Sequence, residues 1–169
     1  MAEQLPVVVV GAGPAGLATL KALADRGVLA VCFDAGDRPG GLWLLGGPSS
    51  GAYRTLHLNT SKRRTEFADA PMPHEWPDYP SHAHILEYLT DYATRFDLLR
   101  HIHPGHTVES VRRAPLGGWS VTVRGPDHRS SFEAPAVVVA SGHNSVPRWP
   151  APPWPGLTAE QLHLSLIHI

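Results

Sequence analysis

The run Val7-Val8-Val9-Val10-Gly11-Ala12-Gly13-Pro14-Ala15-Gly16-Leu17 decides the fold. Four β-branched residues in succession read as a buried parallel strand, because side-chain alternation disappears when both faces of a sheet are covered. The strand enters Gly-x-Gly-x-x-Gly, and apolar residues at Leu17, Leu20, Leu23 and Ala24 then follow helical spacing. Each glycine has a physical task. Gly11 makes the tight turn, Gly13 lets a pyrophosphate approach the backbone, and Gly16 lets helix and strand pack closely. Pro14 falls in the first helical turn, where a missing N–H costs nothing. The helix N-terminus presents free N–H groups and about half a positive charge, which suits a diphosphate. A second apolar run, Val28 to Phe33, reads as the next strand and ends at Asp34. That carboxylate stands about 20 residues beyond the glycines, where a partner for a ribose hydroxyl is expected. The unit reads as a dinucleotide-binding βαβ element; taken alone it leaves NAD(P) and FAD both open.

Length and composition bound what surrounds this element. The chain has 169 residues, enough for one domain with a core of its own, or one domain plus a fragment. Its 14 basic and 15 acidic residues give a formal net charge of −1, with no footprint for nucleic acid or an anionic membrane. No apolar run approaches the ~18 residues of a transmembrane helix. The N-terminus lacks a basic region, and its apolar run enters the glycine turn, so it does not read as a signal peptide. Cys32 is the single cysteine, which excludes a disulfide framework and fits a cytoplasmic protein.

Beyond Asp34 the chain alternates loops with short elements. Gly40-Gly41 reads either as backbone passing close to something bulky or as a turn needing positive φ. Trp43 either shields a cofactor ring or covers core. Residues 46–51 read as loop, and Tyr53 to Lys62 as a short extended segment ending in polar groups. From Ala70 to Pro80 the sequence is rich in proline and aromatics, cannot form a helix, and would wrap over a surface. Ser81 is an N-cap candidate, and Ile85, Leu86, Leu89, Tyr92, Ala93 and Phe96 form a helical stripe expected to run to about Leu99. Strands are expected at Thr107 to Arg113, Trp119 to Arg124 and Ser131 to Ala134. The turns at Gly117-Gly118 and Gly125-Pro126-Asp127 predict that they form an antiparallel meander. Ala136 to Ala140 reads as a fully buried strand returning beside the first, followed by the small-residue turn Ser141-Gly142.

Rival constellations are weaker. His101, His103 and His106, with His82 and His84, have spacings that could hold a metal, but no cysteine or carboxylate cluster supports them, so no metal is expected. The three later histidines and the earlier two read as an exposed turn and a helix start. Ser141 lies near His143, but the Gly-x-Ser-x-Gly elbow of a hydrolase is absent. Lys62-Arg63-Arg64 reads as a solvated edge or a cofactor-phosphate neighbour.

Taken in order, the glycine turn, the acid-ended strand, Gly40-Gly41-Leu42-Trp43, Asn59-Thr60-Ser61-Lys62, the Pro-aromatic loop, the helix, the meander and Val137-Val138-Val139-Ala140-Ser141-Gly142-His143 resemble the N-terminal part of flavin-containing monooxygenases. More distantly they resemble the Baeyer–Villiger and N-hydroxylating monooxygenases. The likeness runs from about Leu5 to Gly156. It implies an α/β fold: a Rossmann-like FAD-binding domain with a parallel sheet and a small antiparallel meander. Such enzymes use NADPH to reduce FAD, which reacts with O2 to give a C4a-hydroperoxide that oxygenates a small-molecule amine, sulfide or ketone. By this resemblance Gly11, Gly13, Pro14, Ala15 and Gly16 surround the FAD pyrophosphate, and Asp34 with Ala35 meets the adenosine ribose, with Asp34 where the family commonly has Glu. Gly40, Gly41, Leu42 and Trp43 pass along the cofactor. Asn59, followed by Thr60 and Ser61, stands beside the isoalloxazine as the candidate catalytic residue; its alternative is a turn-capping Asn. Val108 brings backbone to the adenine, and Ala140, Ser141 and Gly142 abut the FAD.

The resemblance also implies a second glycine fingerprint, for NADPH, beyond the end of this sequence. Residues 1–156 are therefore expected to form an incomplete FAD-binding domain, with 157–169 leading toward the NADPH domain. Where the family shows Phe-x-Gly-x-x-x-His, this chain has Leu157 to His163 and keeps only the histidine. Residues 164–169 fit neither the family nor a helix terminus and are expected to be artefactual. Such a C-terminally truncated chain could hold FAD at most and is expected to be inactive alone. The readings that compete are a non-catalytic FAD- or nucleotide-binding module and another NAD(P)- or FAD-dependent oxidoreductase; oligomeric state is not legible.

Overall fold

The computed structural model of the chain describes residues 5–48, 50–143 and 155–156. The expectations for 157–169 lie outside the described residues. The chain builds β1 (Val7–Val10), α1 (Pro14–Ala24), β2 (Ala30–Phe33), a 3-10 turn (Gly41–Trp43), α2 (Lys62–Thr65), α3 (His82–Arg95), a second 3-10 turn (Leu99–His101), β3 (Ile102–His103), β4 (Thr107–Arg113), β5 (Trp119–Arg124), β6 (Arg129–Ala134) and β7 (Val137–Val139). One sheet has the order β3-β2-β1-β7 and every pair in it is parallel. The other is the antiparallel meander β4-β5-β6. This is the Rossmann-like α/β arrangement with an added meander that the motif order implies.

The valine run explains the layering. Val8 and Val9 are fully buried, on opposite faces of β1. Val9 joins the core formed with Leu17 and Leu20 of α1 and Ile85, Leu89 and Tyr92 of α3. Val8 joins a second core with Phe33, Val121, Val123 and Ala134, under the meander. Helices therefore cover one face of the parallel sheet and the meander covers the other, which is why β1 has no polar alternation.

Several boundaries differ from the sequence reading, each for a local reason. The strand expected from Val28 starts at Ala30, because Gly27 takes φ +64° and the Val28 N–H closes back on Leu23 O (3.0 Å). The helix expected to reach Leu99 stops at Arg95. Asp97 takes φ +55°, its N–H donates to Thr94 O (3.1 Å), and the Leu98 N–H donates to Ala93 O (2.8 Å). These two bonds form a helix stop that usually recruits glycine; with Asp there, the signal was hidden. The segment after Tyr53 is not extended throughout, since Lys62 opens the one-turn helix α2. The short β3 went unforeseen, and it places His103 in the parallel sheet rather than in an exposed turn. β6 begins two residues earlier than the strand expected from Ser131. β7 does pair with β1, but it is not fully buried: it is the edge strand, and Val139 is 70% exposed.

Ser81 caps α3 as expected, and the box is closed by an unusual partner. The His84 N–H donates to Ser81 Oγ (3.4 Å), and the Ser81 N–H donates to His84 Nδ1 (3.3 Å), so histidine does the work usually given to Glu or Gln.

Candidate functional site

The carboxyl ends of the parallel strands open onto a cleft of about 480 Å³. Its floor is the glycine turn. Gly11 has φ +101°, and a β-carbon there would stand 2.5 Å from Ala140 O. A β-carbon on Gly16 would stand 1.8 Å from Gly11 O, so α1 packs on the turn with no room for a side chain. Gly13 is different: a β-carbon would have only Gly41 Cα near it, at 3.6 Å, so the space above it is open. Pro14 occupies the first turn of α1, and no side chain caps that helix. The first-turn N–H groups have no intrahelical acceptor, so they give the cleft a positive pole.

Both readings of Gly40-Gly41 hold together. Their φ values are +146° and +55°; a β-carbon on Gly40 would lie 2.6 Å from Leu86 Cδ1, and the neighbour of Gly41 is the glycine turn itself. The Gly40 N–H donates to Ala12 O (3.1 Å), and a β-carbon on Gly41 would lie 2.9 Å from Gly13 Cα. This docking brings Gly41, Leu42, Trp43 and Leu44 to one wall of the cleft. Trp43 also packs against the helix-side core, so it serves both as cover for that core and as lining.

Asp34 lines the cleft with Ala35 and Gly36. Its Oδ2 accepts from the Ala12 N–H (2.6 Å) and its Oδ1 from the Gly36 N–H (2.7 Å). The carboxylate therefore ties the glycine turn to the exit of β2 while its remaining lone pairs face the cleft. That bracing role was not legible from spacing. The start of β4 closes the same end: the His106 N–H donates to Asp34 O (2.8 Å) and the Gly105 N–H to Gly36 O (2.7 Å). His106, Thr107 and Val108 line the cleft there, and Ala140, Ser141, Gly142 and His143 line it beside Gly11.

Most of the residues picked out from the sequence thus converge. Gly11, Gly13, Pro14, Ala15, Asp34, Ala35, Gly41, Leu42, Trp43, Val108, Ala140, Ser141 and Gly142 share one lining. Gly16 and Gly40 stand behind it as packing residues. Asn59, Thr60 and Ser61 are not part of the lining: Asn59 and Thr60 are exposed, and Thr60 Oγ1 pairs with Thr65 Oγ1 at 2.8 Å. Lys62 is not a solvated edge. It is 7% exposed, and its Nζ donates to the carbonyls of Pro73 (2.9 Å), His74 (2.8 Å) and Trp76 (2.5 Å), pinning the Pro-aromatic loop. Phe33, Gly36 and His106 also line the cleft, a place the sequence did not assign them, His106 having been weighed only as a metal candidate; adjacency to Asp34 and Val108 was the available signal. Among the described residues no group of three or more His, Cys, Asp or Glu could hold a metal ion, and no helix is long and apolar enough to cross a membrane.

Known proteins of similar sequence and shape place the chain in a family. The mouse dimethylaniline monooxygenase [N-oxide-forming] 2 is 38% identical over 162 residues, covering 89% of this chain and 30% of that protein. The S-allyl-L-cysteine S-oxygenase of Allium sativum superposes with a TM-score of 0.76 at 27% identity, over 88% of this chain and 38% of that one. A steroid monooxygenase bound to NADP gives a TM-score of 0.71 at 30% identity, over 83% of this chain and 26% of that one. This chain therefore spans about 30% of the length of the curated relatives it matches. The FAD and NADPH expected from the sequence accord with flavin in the family's description and NADP in that solved neighbour. Residues 4–165 match the family described as flavin-binding monooxygenase-like, and the chain belongs to it.

Proposed function

We propose that this chain is the FAD-binding part of an NADPH-using monooxygenase that oxygenates a small soft nucleophile, an amine or sulfide, or a ketone. The observation that carries the reading is the open space over Gly13 at the uncapped N-terminus of α1, with the Asp34 carboxylate in the same cleft. The residues fit FAD on three separate grounds. A diphosphate needs backbone N–H groups without a side chain in the way, and Gly13 leaves that space clear. A ribose needs an acceptor, and Asp34 keeps lone pairs beyond the two it gives to backbone. A flat aromatic cofactor needs apolar walls, which Leu42, Trp43 and Val108 supply.

FAD, when bound, supplies the redox chemistry, taking reducing equivalents from NADPH and passing oxygen from O2 to the substrate. The chain's own contribution is binding and exclusion. Gly13, Pro14 and Ala15 would hold the diphosphate, Asp34 the ribose, and Val108 the adenine. Leu42 and Trp43 would keep water from one side of the cofactor. Asn59, with Thr60 and Ser61, would stand near the reactive ring, where a side-chain amide can hydrogen-bond. The matched relatives span amine N-oxide formation, sulfide S-oxygenation and steroid oxygenation, which supports the reaction class and leaves the substrate open. On this reading residues 1–156 form the FAD domain, and the nicotinamide and substrate surfaces come largely from sequence beyond it.

Titrating the purified chain with FAD and recording its visible spectrum tests the proposal. A bound, spectrally perturbed flavin is expected, with no bleaching when NADPH is added under nitrogen. A chain that ignores FAD but binds NADP(H) would overturn the FAD assignment. Bleaching by NADPH would overturn the assignment of the nicotinamide site to sequence outside this chain.

A further inference from the structure

The end of the cleft beyond Asp34 is closed by aromatic rings that the FAD reading does not use. His106 lines the cleft, and its ring centroid lies 6.0 Å from that of Phe33 and 5.7 Å from that of His103. Phe33 lines the same cleft and in turn contacts Phe132 at 5.2 Å. The His106 ring is held in orientation from two sides. Its Nδ1 lies 2.7 Å from Pro104 O, and because a carbonyl can only accept, Nδ1 carries the proton. On the other edge, Gly125 sits so close that a β-carbon there would come within 2.9 Å of Nε2. The backbone of His106 is fixed as well, by the bond from its own N–H to Asp34 O (2.8 Å). A ring pinned in this way loses little freedom when a flat ligand settles against it, which is the condition under which stacking contributes most to affinity.

We infer that His106 is a binding residue for the nucleobase of the dinucleotide, its pinned imidazole forming a flat wall next to the ribose acceptor Asp34. The inference rests on the FAD reading above and adds to it the residue that recognises the adenine end by stacking. Two arguments support an aromatic wall over a purely structural ring. His106 faces a cleft already lined by Phe33, Val108 and Ala35, so a base entering past Asp34 meets apolar and aromatic surface. In addition, the ring sits on the first turn of chain leaving β3, one residue before β4, where loop backbone rather than core packing sets its place.

The test compares two variants that fill the same space. His106→Leu keeps the volume against Phe33 without a flat face; His106→Phe keeps the flat face; both lose the bond to Pro104. Wild type and both variants of the full chain are titrated with FAD, followed by flavin fluorescence, and with ADP, followed by calorimetry. Thermal melts by circular dichroism check the fold. His106→Leu is expected to weaken FAD and ADP by about tenfold each, as loss of one base–aromatic stack does, while His106→Phe stays within about threefold of wild type. Equal affinities for Leu and Phe variants would overturn the inference, as would a loss for FAD without one for ADP. If wild type binds neither FAD nor ADP, it is the FAD reading itself that fails, and the inference falls with it.

Discussion

Two regions of this chain meet at α3 and are held by opposite means. Around the glycine turn, backbone lies directly on backbone: Gly11 against Ala140, Gly16 against Gly11, Gly41 against Gly13. In the segment from Leu56 to Pro80, the chain has almost no regular structure and is held by side chains reaching back to carbonyls. Lys62 bonds three of them, and the Tyr88 hydroxyl donates to Ala70 O (2.6 Å) while accepting from the Phe67 N–H (2.7 Å). The first region derives its shape from what is missing, the β-carbons. The second derives it from a few long polar side chains placed in an apolar setting. A mutation in the first should act by volume, and in the second by loss of a partner.

The sharpest way to break this contrast is to add one methyl group. Gly16→Ala sets a carbon 1.8 Å from Gly11 O, a contact that only backbone displacement can relieve. Overpacking of this kind costs about 3 kcal/mol or more, so the variant is expected to be unfolded or strongly destabilised in a urea titration. A variant melting like wild type would mean that the glycine turn is looser than its packing implies.

The next largest effect falls in the other region. Lys62→Met keeps the apolar stem and removes the ammonium, leaving the carbonyls of Pro73, His74 and Trp76 without their donor. Losing charged hydrogen bonds from a buried group costs about 2–3 kcal/mol. The loss should be local: hydrogen exchange and proteolysis should rise in residues 66–80 while β1 and α1 stay protected. If protection drops equally in β1, the two regions do not behave as separate units.

These regions also differ in how far sequence alone reveals them. The glycine turn, the return of β7 beside β1 and most of the cleft lining were legible because the relevant interactions are local or carried by residue types with one physical use. A run of valines must be covered on both faces, and a glycine at positive φ leaves few alternatives. The Leu56 to Pro80 segment was opaque for the reverse reason. Nothing local distinguishes Lys62 from an exposed lysine, since its partners lie 11 to 14 residues on and are main-chain carbonyls, which every residue carries. The same holds for Asp97, whose left-handed turn ends α3 without the usual glycine. Asp34 lies between these cases: its distance from the turn pointed to the cleft, but its two backbone bonds appear only in three dimensions.

Asp34 is therefore a smaller but more discriminating probe. Asp34→Asn keeps the shape and turns one oxygen into an amide that faces an N–H, either that of Ala12 or that of Gly36. One of the two bonds is lost, at a cost of about 1–2 kcal/mol in a thermal or urea melt. Affinity for FAD should fall as well, because the neutral amide offers the ribose one acceptor oxygen in place of two. Undiminished stability with weakened FAD binding would assign the carboxylate to the ligand alone and remove it from the bracing of the turn.

The smallest effect is one of pH, and it asks how dry the first region is. Cys32 is fully buried on β2, and its thiol is pushed up to about 12 from 9.0, first by burial and then by the charge of Asp34. A raised folded pKa means that the protonated thiol is favoured in the fold. The contribution is therefore complete below pH 9 and is lost as pH rises from 9 toward 12. By pH 10 the wild type should have lost about 1 kcal/mol on this account. Tyr88, in the second region, is raised by burial from 10.0 to about 12, so its own loss starts one unit higher. Between pH 9 and 10 the two regions can thus be separated. Urea midpoints of wild type and Cys32→Ala, compared at pH 7 and pH 10, should converge as pH rises, because only the wild type carries the thiol. Parallel midpoints at both pH values would mean that water reaches Cys32, and that the close backbone contacts around Gly11 do not seal the sheet beneath them.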